Sequence, residues 1–118
     1  MLPRRQARIN ELVRKAIGDI LEGGLKTHFP GLITITHVKV SPDLSSAWVE
    51  FTVIGADEQD ALRFLERSRH KITSQLAQKV RLRSLPRLNF ALDKVSKNAD
   101  RIEELIREIH RDEDETSD

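Results

Sequence analysis

Residues 63–87 place eight cations, Arg63, Arg67, Arg69, Lys71, Lys79, Arg81, Arg83 and Arg87, against a single acid, Glu66. Guanidinium and ammonium groups at this density are equipped to hold phosphate by charge and hydrogen bonding rather than to make or break bonds. Ile72, Leu76 and Val80 recur at the four-residue step of one helix side, which leaves the other side to the cations. Between the Leu62, Phe64 and Leu65 cluster and Ile72 the pattern skips a turn, and Ser68, Arg69 and His70 occupy the gap. The spacing predicts two helices meeting at a break. A helix that begins afresh there presents unpaired N–H groups and a positive dipole end among cationic side chains, a corner suited to phosphate.

Other chemistries lack their residues. The four histidines, His28, His37, His70 and His110, are dispersed, there is no cysteine, and no pair stands at metal-ligand spacing, so neither a metal nor a cofactor is expected. None of Gly18, Gly23, Gly24, Gly31 and Gly55 opens a phosphate loop ending in Lys-Ser/Thr. The carboxylates fall on helix surfaces and in the tail, and no catalytic constellation emerges; the chain does not read as an enzyme. His70 is either a neutral surface imidazole or an RNA contact. Trp48 is either shielded by its strand neighbours or a platform for a base.

At 118 residues the chain fits one domain. Its net charge of +1 conceals an asymmetry, because residues 111–118 hold five acids and one Arg, leaving 19 cations against 14 acids in the remainder. A basic body with an acidic tail points to a polyanionic partner; the plainer reading is that the cations only solubilise helices. No apolar run approaches the roughly 20 residues that span a bilayer, and MLPRRQAR has no apolar segment beside its charges. A cytoplasmic protein without membrane contact is expected.

The elements that must position these residues follow from periodicity. Ile9, Leu12, Val13, Ala16, Ile17, Ile20 and Leu21 give residues 3–22 an amphipathic helix ended by Gly23 and Gly24, with Arg4, Arg5, Arg8, Arg14 and Lys15 off its apolar face or ahead of it. Strands are expected over 32–40 and 47–54, joined as a hairpin by Ser41-Pro42-Asp43. Val38, Val40, Ala47, Val49, Phe51 and Val53 should face the core, with His37, Lys39, Trp48, Glu50 and Thr52 opposite. Asp57 caps the next helix, the basic helix follows the break, and Pro86 stops the helical run before a strand at 88–92 with Leu88, Phe90 and Leu92 inward. The order α-β-β-α-α-β predicts an α+β fold, a three-stranded sheet covered by helices on one face. Ser96 or Asn98 could cap a C-terminal helix over 96–110 bearing Ile102, Leu105, Ile106 and Ile109; residues 111–118 read as disordered.

Two segments also resemble a known family. Val38-Lys39-Val40-Ser41-Pro42-Asp43-Leu44-Ser45-Ser46-Ala47-Trp48-Val49 is similar to the V-x-V-S-x-D-L-x-x-A-x-V signature of bacterial ribosome-binding factor A. Ile72, Leu76, Leu82, Arg83, Pro86, Leu88 and Phe90 match its I-R-x-x-L…L-R-x-x-P-x-L-x-F stretch, with Thr73 where that family tends to have Arg. The resemblance covers residues 1–95 and implies a single type II KH-like domain there, in which the helix-break-helix replaces a GXXG nucleic-acid loop. The family's break is usually Ala-x-Gly; here Ser68, Arg69 and His70 stand in its place. The resemblance further implies a monomeric, non-enzymatic factor that binds the small (30S) ribosomal subunit and its 16S rRNA, promotes late maturation including 5′-end processing, and supports growth in the cold. Arg67, Arg69, His70, Lys71, Lys79, Arg81 and Arg83 would then contact RNA around the break, with Arg4, Arg5, Arg8, Arg14 and Lys15 as a second surface. The rival is a protein-interaction or dimerisation module that docks through the 102–109 stripe without touching RNA.

Overall fold

Helix α1 spans Arg4–Glu22 in the computed structural model, which describes residues 4–23 and 29–94. Val13, Ala16, Ile17, Ile20 and Leu21 are buried, as their spacing requires. Leu12, expected on the same face, is 51% exposed instead. It sits about 100° round the helix from Val13 and falls on the flank of a stripe centred on Val13, Ile17 and Ile20.

Strands β1 (Leu32–Val40) and β2 (Ser46–Ile54) form the antiparallel hairpin, pairing Val38 with Val49 and Val40 with Ala47. The register shifts between Ile35 and His37, and the displaced Thr36 donates its hydroxyl to the Glu50 carbonyl at 3.3 Å. Gly31, just ahead of β1, has no room for a side chain, since an added Cβ would lie 2.6 Å from that of Ala56.

Helix α2 (Glu58–Arg67) is capped by Asp57, whose carboxylate accepts the Gln59 and Asp60 amides at 2.8 and 3.2 Å. Helix α3 (Arg69–Lys79) follows after Ser68, and strand β3 (Arg87–Leu92) then pairs with β2 in parallel, giving the order β1-β2-β3. A parallel partner needs a crossover connection, and α2 with α3 supplies it. The result is the α+β arrangement that the sequence predicts, with helices on one sheet face and a helix-break-helix in the type II KH position.

The core holds Val13, Ile17 and Ile20 of α1, Val38, Val40, Ala47, Val49 and Phe51 of the hairpin, Ala61 and Leu65 of α2, Ile72 and Leu76 of α3, and Leu88 of β3. Val53, Phe90 and Leu92 pack half-buried at its margin. On the other sheet face Trp48 is 49% exposed beside the exposed Lys39 and His37. His37 Nδ1 lies 3.2 Å from a carboxylate oxygen of Asp93, whose own amide donates to the Phe51 carbonyl at 2.8 Å. Both sheet edges carry side-chain bonds on outward backbone groups: Asn10 accepts the Val40 amide at 2.9 Å and Gln6 donates to the Val40 carbonyl, while Arg69 donates to the Leu88 carbonyl. Lys94, the last described residue, is helical. The expected helix over 96–110 and tail over 111–118, together with Pro3, His28 and His110, lie outside the described residues.

The hairpin turn is held by side chains as much as by backbone. The Leu44 amide donates to the Ser41 carbonyl at 2.9 Å, and Leu44 takes a φ of 62° while its side chain stays buried. The Asp43 carboxylate accepts both the Ser41 hydroxyl at 2.7 Å and the Ser45 hydroxyl at 2.8 Å, as well as the Ser45 amide at 3.1 Å. These donors, the Ser41 hydroxyl first, hold the Asp43 carboxyl down to about 2. Because the folded value lies below the unfolded one, the stabilisation is fully present above pH ~4 and is lost as the pH falls through about 2. The Ser45 and Ser46 amide resonances should therefore show an inflection near pH 2 that is missing from Asp43→Asn; an inflection in wild type near pH 4 would mean that the carboxyl is not held.

Candidate nucleic-acid interface

Ser68 at the break has φ −89° and ψ −1°, ordinary right-handed values, so the junction uses no glycine conformation. His70 likewise needs none, since among the described residues Leu44 is the single non-glycine with positive φ. The Ser68 amide donates to the Phe64 carbonyl at 3.0 Å and its carbonyl accepts the Ile72 amide at 2.9 Å, while its hydroxyl makes no capping bond to α3. The first turn of α3 thus starts without a side-chain cap, beside Arg67, His70 and Lys71, all exposed.

A groove of about 520 Å³ runs between this corner and the start of β3. Leu85, Pro86 and Leu88 line it with Arg67, Arg69, His70, Thr73, Arg87 and Ser45, and one acid, Glu66, stands among them. The Arg87 amide donates to the Ser45 carbonyl at 3.0 Å, which joins the tip of the hairpin to the groove. Arg67 also borders a second hollow of about 660 Å³, where the Phe29 and Phe64 rings meet at 5.1 Å.

The remaining candidates are dispersed. Arg69, expected among the phosphate contacts, is half-buried in the groove wall and engaged there: its Nε donates to the Leu88 carbonyl at 2.8 Å and its guanidinium lies 5.9 Å from the centroid of the Phe90 ring. Thr73 returns its hydroxyl to the Arg69 carbonyl at 2.8 Å. Lys79 closes α3, which places it about 16 Å along the helix from the break. Arg81 and Arg83 are exposed on the connection that returns from α3 to Arg87. Two groups therefore replace the single cluster expected around the break: a corner with Arg67, His70 and Lys71, and a far end with Lys79, Arg81 and Arg83.

On α1, Arg4, Arg5 and Arg8 are exposed and line, with Ile9 and Leu12, a shallow hollow of about 540 Å³. Arg14 is bound to Glu11 by two hydrogen bonds, one at 2.9 Å, which lowers the Glu11 carboxyl and raises the Arg14 guanidinium from their ordinary values. Lys15 is exposed near Asp19 and Glu22. Arg4, Arg5 and Arg8 thus share a surface that Arg14, committed to its acid, does not join.

Arg87 and Ser45 are among the groove residues that sequence reasoning missed. Arg87 belongs to the basic stripe, and its place directly after Pro86 is the one local signal; Ser45 sits in the hairpin turn and offers none. The arrangement supplies cationic donors on an uncapped helix start and a small apolar floor. Such a combination is chemically suited to phosphate. Among the described residues no three His, Asp or Glu side chains converge as metal ligands, and no helix is long and apolar enough to cross a membrane.

Comparison with known proteins bears on the same region. The family model described as Ribosome-binding factor A matches residues 5–106. A curated Ribosome-binding factor A from Staphylococcus carnosus (strain TM300) is 36% identical over 109 residues, covering 91% of this chain and 95% of that protein. Among solved structures, the crystal structure of ribosome-binding factor A from Thermus thermophilus superposes with a TM-score of 0.66 at 29% identity, over 74% of this chain and 94% of the other. A homology model of Thermus thermophilus ribosome-binding factor A, as fitted into the cryo-EM map of a complex with 30S, gives a TM-score of 0.56 at 27% identity, over 79% of this chain and 96% of the other.

Proposed function

The chain belongs to the ribosome-binding factor A family, and from that premise we propose that it binds the small ribosomal subunit through the backbone of 16S rRNA. The observation that carries this reading is the uncapped start of α3, flanked by exposed Arg67, His70 and Lys71 and opening on the groove that Arg87 borders. The relative from Thermus thermophilus fitted into a 30S complex supports the choice of partner. Lys79, Arg81 and Arg83 extend the contact along the return from α3, and Arg4, Arg5, Arg8 and Lys15 offer a second track on α1. Arg14 contributes least, because Glu11 already holds it.

Mechanistically the protein is a clamp on folded RNA rather than an enzyme. Phosphate contacts provide affinity and orientation and carry no base sequence, so selectivity comes from the shape of the rRNA. A monomer bound in this way late in maturation would favour the subunit conformation in which the 16S rRNA 5′ end is processed. The same bias would matter most in the cold, where misfolded RNA escapes slowly. A cytoplasmic location follows from the partner.

Each phosphate neutralised releases counterions, so log K should fall linearly with log of salt concentration, by about 0.7–0.9 per contact. Sedimentation of the full-length protein with purified small subunits across a salt series measures this directly. Binding at low salt with a slope equivalent to several contacts is the expected result. No co-sedimentation at any salt would overturn the proposal.

A further inference from the structure

We propose that Arg69 is a positioning residue: its bond to the Leu88 carbonyl, with its cation–π contact to Phe90, sets the angle at which α3 leaves the break, and so aims Arg67, His70 and Lys71 at phosphate. This rests on the rRNA-binding reading given above. Arg69 is the first residue of α3, and Leu88 is the second residue of β3 with no exposed surface. One side chain therefore ties the start of the helix to the start of the crossover's destination strand, at Nε–O 2.8 Å. Ser68 contributes no capping bond that could fix the angle in its stead, and its ψ of −1° departs from the helical value where the path bends. Thr73, one turn on, is anchored to the Arg69 carbonyl, so the whole first turn follows this residue.

The assignment has a chemical consequence that separates it from a phosphate contact. The Nε–H that bonds Leu88 lies partway along the side chain, and lysine carries a methylene at that position. Lysine keeps the charge and loses both the donor and the flat group that covers Phe90. A residue needed for its charge tolerates Arg69→Lys; a residue needed for its fork does not. Counterion release supplies a second discriminator: a direct phosphate contact by Arg69 predicts that lysine keeps the salt slope and methionine loses about one contact's worth, whereas mis-aiming Arg67, His70 and Lys71 lowers the slope alike in both variants.

The experiment compares wild type, Arg69→Lys, Arg69→Met and Arg67→Met in salt-series binding to purified small subunits, with thermal melts to establish that each variant is folded at the assay temperature. The expected result is a loss of about tenfold in affinity for both Arg69 variants, the scale of a charge-assisted hydrogen bond, with the same reduction of slope in the two. Arg67→Met should reduce the slope by about 0.7–0.9. Arg69→Lys binding within twofold of wild type, together with a shallower slope for Arg69→Met, would overturn the assignment. If wild type itself fails to bind, the rRNA-binding proposal falls and Arg69 is judged by residual dipolar couplings. A changed orientation of α3 relative to β3 in Arg69→Lys upholds its positioning role, and an unchanged one rejects it.

Discussion

Replacing Arg67, Lys71, Arg81 and Arg83 together by alanine is expected to weaken binding to small ribosomal subunits by two to three orders of magnitude near 0.1 M salt. Each neutralised phosphate contributes about 0.7–0.9 to the slope of log K against log salt, referred to roughly 1 M, where the contribution vanishes. Removing all four cations therefore takes away about three units of slope and up to three decades of affinity a decade below that reference. All four side chains are exposed, so the fold should survive. The set spans both ends of α3 and omits Arg69, which is engaged with Leu88. Salt-series sedimentation reads slope and affinity together. A folded variant that binds like wild type would move the RNA-binding surface to Arg4, Arg5 and Arg8 on α1.

Phe51→Ala should cost about 3–5 kcal/mol, much of the stability of a domain this size. Phe51 has no exposed surface and lies in the central strand, paired with Ile35 of β1 and Leu92 of β3. It belongs to the buried cluster that also holds Ile17 of α1, Leu65 of α2 and Leu76 of α3. Truncation removes a ring from the middle of the core, and neighbours anchored in paired strands cannot collapse into the gap. Urea unfolding monitored by circular dichroism gives the number. At roughly 4–8 °C per kcal/mol the melting temperature should fall by more than about 10 °C. Trp48→Ala on the open face is the natural comparison, and its cost should stay near ~1 kcal/mol because half its surface is already in water. Equal losses from the two would mean that the helices do not cover the face assigned to them.

Much of this architecture is legible in the sequence. The stripe over Val13, Ile17 and Ile20, the alternation in β1 and β2, the Asp57 cap and the stop at Pro86 are local signals, written in residues within a turn or two of one another. They locate every described helix and strand to within about a residue, because amphipathic period and capping act over that range. The break at Ser68 is legible for the same reason, as a skipped turn in an otherwise regular pattern. Resemblance supplies the family from two separated motifs, and the family match supports it.

The candidate site is less legible, since its membership depends on where distant segments meet. Stripe counting cannot tell that β3 begins beside the break, which brings Arg87 and Ser45 to the groove. Charge alone makes Arg69 and Arg14 equivalent to Arg67. The fold distinguishes them, because a backbone carbonyl on β3 takes one and Glu11, one turn back on α1, takes the other. Sequence by itself determined which segments would be helix or strand, which faces would be apolar and how much positive charge the helical layer would carry. Tertiary structure alone decided the parallel placement of β3 and hence which of those charges point outward, since that choice is made by backbone groups that only a folded neighbour can reach.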